Sequence, residues 1–76
     1  MVRPMKHEHP LRTHRQALGL TQDELAHLAG CRHAAISRIE HRDLEPSIGL
    51  KVRLARALNV SVAELWEPVA VNEDMA

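Results

Sequence analysis

The sequence predicts an all-α domain of five short helices. Three observations carry that prediction: Leu and Ala recur three and four residues apart, strand-type punctuation is almost absent, and two glycines and an asparagine stand at helix ends. Pro10 suits a first helical turn, Leu11 and Leu18 share a face one heptad apart, and Gly19 can take the left-handed conformation that closes a helix, so residues 10–18 form the first. In "TQDEL", Thr21 and Glu24 make a capping box that satisfies two otherwise unpaired backbone donors. The second helix then runs from Gln22 to Leu28 and stops at Gly30.

The third helix lies in "CRHAAISRIEHR", Cys31 to Arg42, and starts near residue 32. It turns Ala35, Ile36 and Ile39 inward and leaves Arg32, His33, Ser37, Arg38 and His41 on a basic, hydrogen-bonding face. Its opening is locally poor, because an arginine stands where Ser, Thr, Asp or Asn would cap better, and such a choice often marks a site kept for function. Helices two and three, joined by about three residues that include Gly30, form a helix-turn-helix. Past the "HRDLEPS" loop, Ser47 caps a fourth helix with Leu50, Leu54 and Leu58 on one face and Asn59 as its left-handed terminator. Ser61 and Glu64 form a second capping box, opening a fifth helix with Val62, Leu65 and Trp66.

Length and composition narrow the function. Seventy-six residues make at most one domain, with a thin core unless helix packing is efficient or a partner adds buried surface. The expected organisation is a flexible segment over residues 1–9, the domain over 10–66 and a short acidic tail over 67–76. One cysteine excludes an internal disulfide, and Cys31 reads as a small core residue. No long apolar run spans a membrane and no apolar stretch follows a basic start, so a soluble, cytoplasmic chain is expected. Formal charge is zero but unevenly spread: residues 1–60 hold all ten Lys and Arg against six acids, a balance of +4, and residues 61–76 carry −4. A basic body with an acidic end fits a surface for a polyanion.

Enzyme chemistry is not expected, for want of a Gly-rich phosphate loop, a nucleophile with its base, or enough chain to wall off a pocket. The six histidines do not suggest a metal site: His7 and His9 flank Glu8 in the N-terminal segment, Cys31 points inward while His33 points out, and no pair sits at i, i+4 on a helix face. No metal and no cofactor are therefore expected.

"LRTHRQALGLTQDELAHLAG", then "AAISRIEHRDLEPS", then "LARALNVSVAELW", is similar to the Cro and phage-repressor type helix-turn-helix domain, also called the xenobiotic-response-element family. The likeness covers residues 11 to 66. It implies a lambda-repressor-like DNA-binding fold whose third helix lies in the major groove, usually in a two-fold homodimer on a pseudo-palindromic double-stranded operator. Carried over by position, Arg32, His33, Ala34, Ser37 and Arg38 meet base edges, while Thr21, Gln22, His41 and Arg42 meet phosphates, and Gln22 also braces helix three. Arg15 and Glu40 stand where some relatives form a partly buried ion pair. Val60, Val62, Trp66 and Val69 fall where relatives place dimer contacts. Two departures stand out: His41-Arg42 replaces a common Asn-Gly, and Arg32 replaces a common capping Ser. The implied function is a sequence-specific transcriptional regulator, a repressor or autoregulator. The alternative is an antitoxin or accessory subunit that grips another protein, such as a toxin, and binds DNA only for autoregulation.

Overall fold

The computed structural model describes residues 9–66, which hold five helices: α1 Pro10–Ala17, α2 Gln22–Ala29, α3 His33–Glu40, α4 Ile48–Leu58 and α5 Val62–Leu65. Each begins and ends for a local reason. Thr21 and Ser61 head complete capping boxes with Glu24 and Glu64, and the Ser47 hydroxyl accepts from the Leu50 N–H. Helices α1, α2 and α4 close through left-handed Gly19, Gly30 and Asn59. There the amide that follows reaches back to a carbonyl of the last turn: Leu20 to Arg15, Cys31 to Ala26, Val60 to Ala55.

Leu11, Leu25, Ile36, Ile39 and Leu54 are the largest fully buried side chains, one or two from each of the first four helices. Removing each from water contributes roughly 1.5–3 kcal/mol. Ala26, Ala29 and Ala55 are buried as well, small residues that let α2 approach α3 and α4 closely. Helix α1 packs on α3 and α5, so α3 is held on its inner side by both α1 and α2. Arg53 of α4 adds a polar tie by donating Nε–H to the Ala29 carbonyl at 2.8 Å, which satisfies a carbonyl at the end of α2.

Several expectations shift. Leu18 does not join Leu11 in the core but is 55 % exposed. The helix ends at Ala17, the chain turns at Gly19, and Leu20 packs on the core in its place. Ala35 is half-buried, and so is Leu50, whereas Leu54 and Leu58 are buried. His9, read as part of a loose N-terminal segment, is a buried N-cap: its Nδ1 accepts the Leu11 N–H at 2.9 Å, and its ring lies edge-on to Trp66 with centroids 5.5 Å apart. Histidine is outside the usual capping set, so only the fold exposes this role. Trp66 is half-buried against the core, with Lys51 Nζ 5.7 Å from its ring centroid. Among the described residues no helix is long and apolar enough to cross a membrane.

Candidate nucleic-acid interface

Helix α3 buries Ile36, Ile39 and Glu40 and exposes Arg32, His33, Ala34 and Arg38, with Ser37 half-buried between the two faces. This division follows from helical period: Ile36, Ile39 and Glu40 lie three and four apart and turn toward α1 and α2. Arg32 is the N-cap, in extended conformation, and makes no side-chain capping bond, so the first turn of α3 opens with its backbone donors unclaimed by its cap. At the other end, the His41 and Arg42 side chains are exposed. His41 donates Nδ1–H to the Ser37 carbonyl at 2.8 Å. Arg42 takes φ of 62°, a left-handed conformation, while the Arg42 and Asp43 amides donate to the Ile39 and Arg38 carbonyls. Helix α3 thus closes as α1, α2 and α4 do, but with an arginine at the left-handed position.

Behind this face sits a polar clamp. Arg15 donates Nε–H to Glu40 Oε2 at 2.6 Å and Nη2–H to Oε1 at 3.1 Å, and its Nη1–H goes to the Leu20 carbonyl at 2.8 Å. The arginine and glutamate side chains are only 10 % and 2 % exposed, and the pair that the resemblance implies is therefore present and buried. Burial alone would raise the Glu40 pKa. Hydrogen bonds from Arg15 and Gln22, with the charges of Arg15 and Arg12, together outweigh it and hold the carboxyl below its ordinary value.

Gln22 continues the chain of bonds. Its Nε2 donates to Glu40 Oε1 at 3.0 Å, and its Oε1 lies 2.8 Å from His33 Nε2. Gln22 thus ties the start of α2 to both ends of α3, to Glu40 at one and His33 at the other. On the other side of the ring, His33 Nδ1 lies 3.6 Å from Asp23 Oδ1, with the imidazole 55 % and the carboxylate 80 % exposed. Thr21 is engaged locally: Oγ1 accepts the Glu24 N–H at 3.0 Å and its own N–H goes to Glu24 Oε1 at 2.8 Å, which leaves the hydroxyl hydrogen as a donor. Arg38 reaches the Asp43 carbonyl only at 3.4 Å. Cys31, in the turn between α2 and α3, is half-buried against the core; burial pushes its thiol pKa up despite the nearby charge of Arg53. Among the polar residues that the sequence did not single out are Asp23, the capping His9 and Arg53, none of which carries a periodic or spacing signal. Of the residues expected at a dimer surface, Val60 and Val62 are half-buried against the core, Trp66 packs with His9 and Lys51, and Val69 lies outside the described residues.

The helix-turn-helix family profile matches residues 11–65. An HTH-type transcriptional regulator of Methanothermobacter thermautotrophicus is 46 % identical over 48 residues, covering 63 % of this chain and 70 % of that protein. Among solved structures, the restriction-modification controller protein C.AhdI from Aeromonas hydrophila superposes with a TM-score of 0.71 at 34 % identity, covering 74 % of this chain and 85 % of its own. The DNA-binding domain of the P22 C2 repressor superposes with a TM-score of 0.73 at 29 % identity, over 78 % of each chain. With all five helices in place and the match spanning α1 through α5, the chain belongs to the helix-turn-helix family of the Cro and phage-repressor type.

Proposed function

We propose that this protein is a sequence-specific, double-stranded DNA-binding transcriptional regulator that reads the major groove with α3 and acts as a repressor or autoregulator. One observation carries the reading: α3 presents an exposed face of Arg32, His33, Ala34 and Arg38 while its inner face is clamped to the body through Glu40. A reading head must be held rigidly, since base-edge hydrogen bonds tolerate little misplacement. Arg38 and Arg32 suit guanine O6 and N7, His33 and Ser37 suit polar base edges, and the Ala34 methyl suits a thymine methyl. Thr21, Gln22, His41 and Arg42 flank that face at both ends and suit phosphates.

Homodimerisation on a pseudo-palindromic operator completes the proposal. The surface would use the remaining exposed edge of Trp66 with Val60 and Val62, setting two α3 helices roughly 34 Å apart, about one DNA turn.

Selection from random duplexes, then competition between the recovered site and a scrambled one across salt concentrations, tests the reading. The expected result is a palindromic site whose affinity falls with salt, each neutralised phosphate adding roughly −0.9 to the slope of log affinity against log salt. Equal affinity for both duplexes at moderate salt overturns it. Within the selected site, Arg38→Ala should relax preference at one base pair by about 1–3 kcal/mol, whereas Gln22→Ala should weaken binding evenly across sequences apart from the base pair that its partner His33 faces.

A further inference from the structure

The bonds that run from the buried ion pair to the surface have a direction. Glu40 accepts from Arg15 on both carboxylate oxygens, so Gln22 can meet Oε1 only with its amide nitrogen. The Gln22 carbonyl oxygen must then face His33, and an amide oxygen only accepts, so His33 Nε2 must carry a hydrogen. A neutral imidazole has one N–H. With Nε2–H committed to Gln22, neutral His33 has a bare acceptor at Nδ1, and protonation converts that same atom to a donor.

We infer that His33 is a proton-dependent base reader whose Nδ1 is locked by Gln22 as an acceptor when neutral and a donor when protonated, so that base preference at one position of each half-site changes with pH. The inference rests on the DNA-reading function proposed above. In the major groove cytosine offers only the N4 donor and guanine only the N7 and O6 acceptors. Neutral His33 therefore favours cytosine and the imidazolium favours guanine. The charged groups around the ring are Asp23 from α2, Arg32 beside it in the chain and, at the far end of Gln22, Glu40 with Arg15 and Arg12 from α1. Asp23 at 3.6 Å, on a side chain 80 % exposed, is too weakly held to keep Nδ1 from a base edge.

The test uses the selected operator and its single guanine-to-cytosine variants, competed at about pH 5.5 and about pH 8. A ratio of two affinities for one protein sample cancels any change in folded fraction. At one half-site position the guanine-over-cytosine ratio should fall about tenfold or more between pH 5.5 and pH 8, within the span of a single base contact. His33→Gln, which cannot change protonation, should give one ratio at both pH values. Gln22→Met should blunt the change, because the ring is then free to exchange its N–H between nitrogens. Specific binding with the same base ratios at both pH values overturns the inference and leaves DNA reading intact, as does a pH-dependent ratio that persists in His33→Gln. Loss of specificity at both pH values overturns the DNA reading itself and this inference with it.

Discussion

Helix α3 and the four helices around it are built to different rules. His9, Thr21, Ser47 and Ser61 each accept a backbone N–H at the start of their helix, whereas Arg32 at the start of α3 does not. At the ends, α1, α2 and α4 use left-handed Gly19, Gly30 and Asn59, and α3 uses left-handed Arg42. A missing cap forgoes about 1 kcal/mol, and a left-handed L-residue with a long side chain costs roughly 1–2 kcal/mol. Both concessions bring a cation to an end of α3, and both fall on the exposed side. What α3 lacks in local stability it recovers from its neighbours, through Ile36, Ile39 and the Arg15–Glu40 clamp. The other four helices are capped within their own sequence, and α3 is stabilised from behind.

The largest effect expected from that contrast is at the clamp. Glu40→Ala leaves the Arg15 guanidinium buried without its partner and should destabilise the fold by about 3–5 kcal/mol. Denaturant titration reads it, and a loss below about 1 kcal/mol, the range of an exposed pair, would show that α3 does not depend on support from behind.

Next come the ends of α3. Arg42→Gly relieves the left-handed strain and should stabilise by roughly 1 kcal/mol while weakening DNA binding. The matching change at a scaffold end, Gly19→Ala at φ of 73°, should destabilise instead. If both substitutions move the melting midpoint in the same direction, the two ends are not built to opposite rules.

The starts of α2 and α3 give a similar pair of smaller size. Thr21→Ala should cost about 1 kcal/mol, and Arg32→Ser should gain up to about that amount at the expense of DNA affinity. Stability without a gain for Arg32→Ser would place the benefit of arginine in the fold and not on the exposed face.

The last effect is absent at neutral pH. His9 caps α1 with a bare Nδ1, and its pKa is lowered, first by burial and then by the charge of Arg42. The unfolded state therefore binds a proton more readily than the folded one. Stability from this cap is present above the unfolded value of about 6.5 and is lost as pH falls below it. His9→Asn keeps a capping acceptor without a titrating ring, so its melting midpoint should be flatter than the parent between pH 7 and pH 5. Equal slopes for the two proteins would remove His9 as the titrating group.

Sequence alone made much of this legible where the signal is local. The capping boxes at Thr21–Glu24 and Ser61–Glu64, the terminators Gly19, Gly30 and Asn59, and the inward Ile36 and Ile39 all lie within a few residues of what they control, and the structure bears each out. The basic face of α3 was readable for the same reason: residues three and four apart share a side. Where sequence misled, the deciding contact was distant or the element ended early. Leu18 kept the heptad spacing from Leu11, but α1 stops at Ala17 and the turn carries Leu18 outward.

The sequence by itself determined where the helices start and stop, and which side of each is apolar, because capping and periodicity act over four residues or fewer. The bridge from Gln22 to His33 spans 11 positions and the one from Arg15 to Glu40 spans 25, so α1, α2 and α3 must pack before these groups meet. Tertiary structure alone decided that the His9 cap is buried, that Trp66 rests on it, and that the proton on His33 is fixed by a carboxylate it does not touch. Hydrogen-bond polarity passes only between atoms in contact, and along the chain these atoms are far apart.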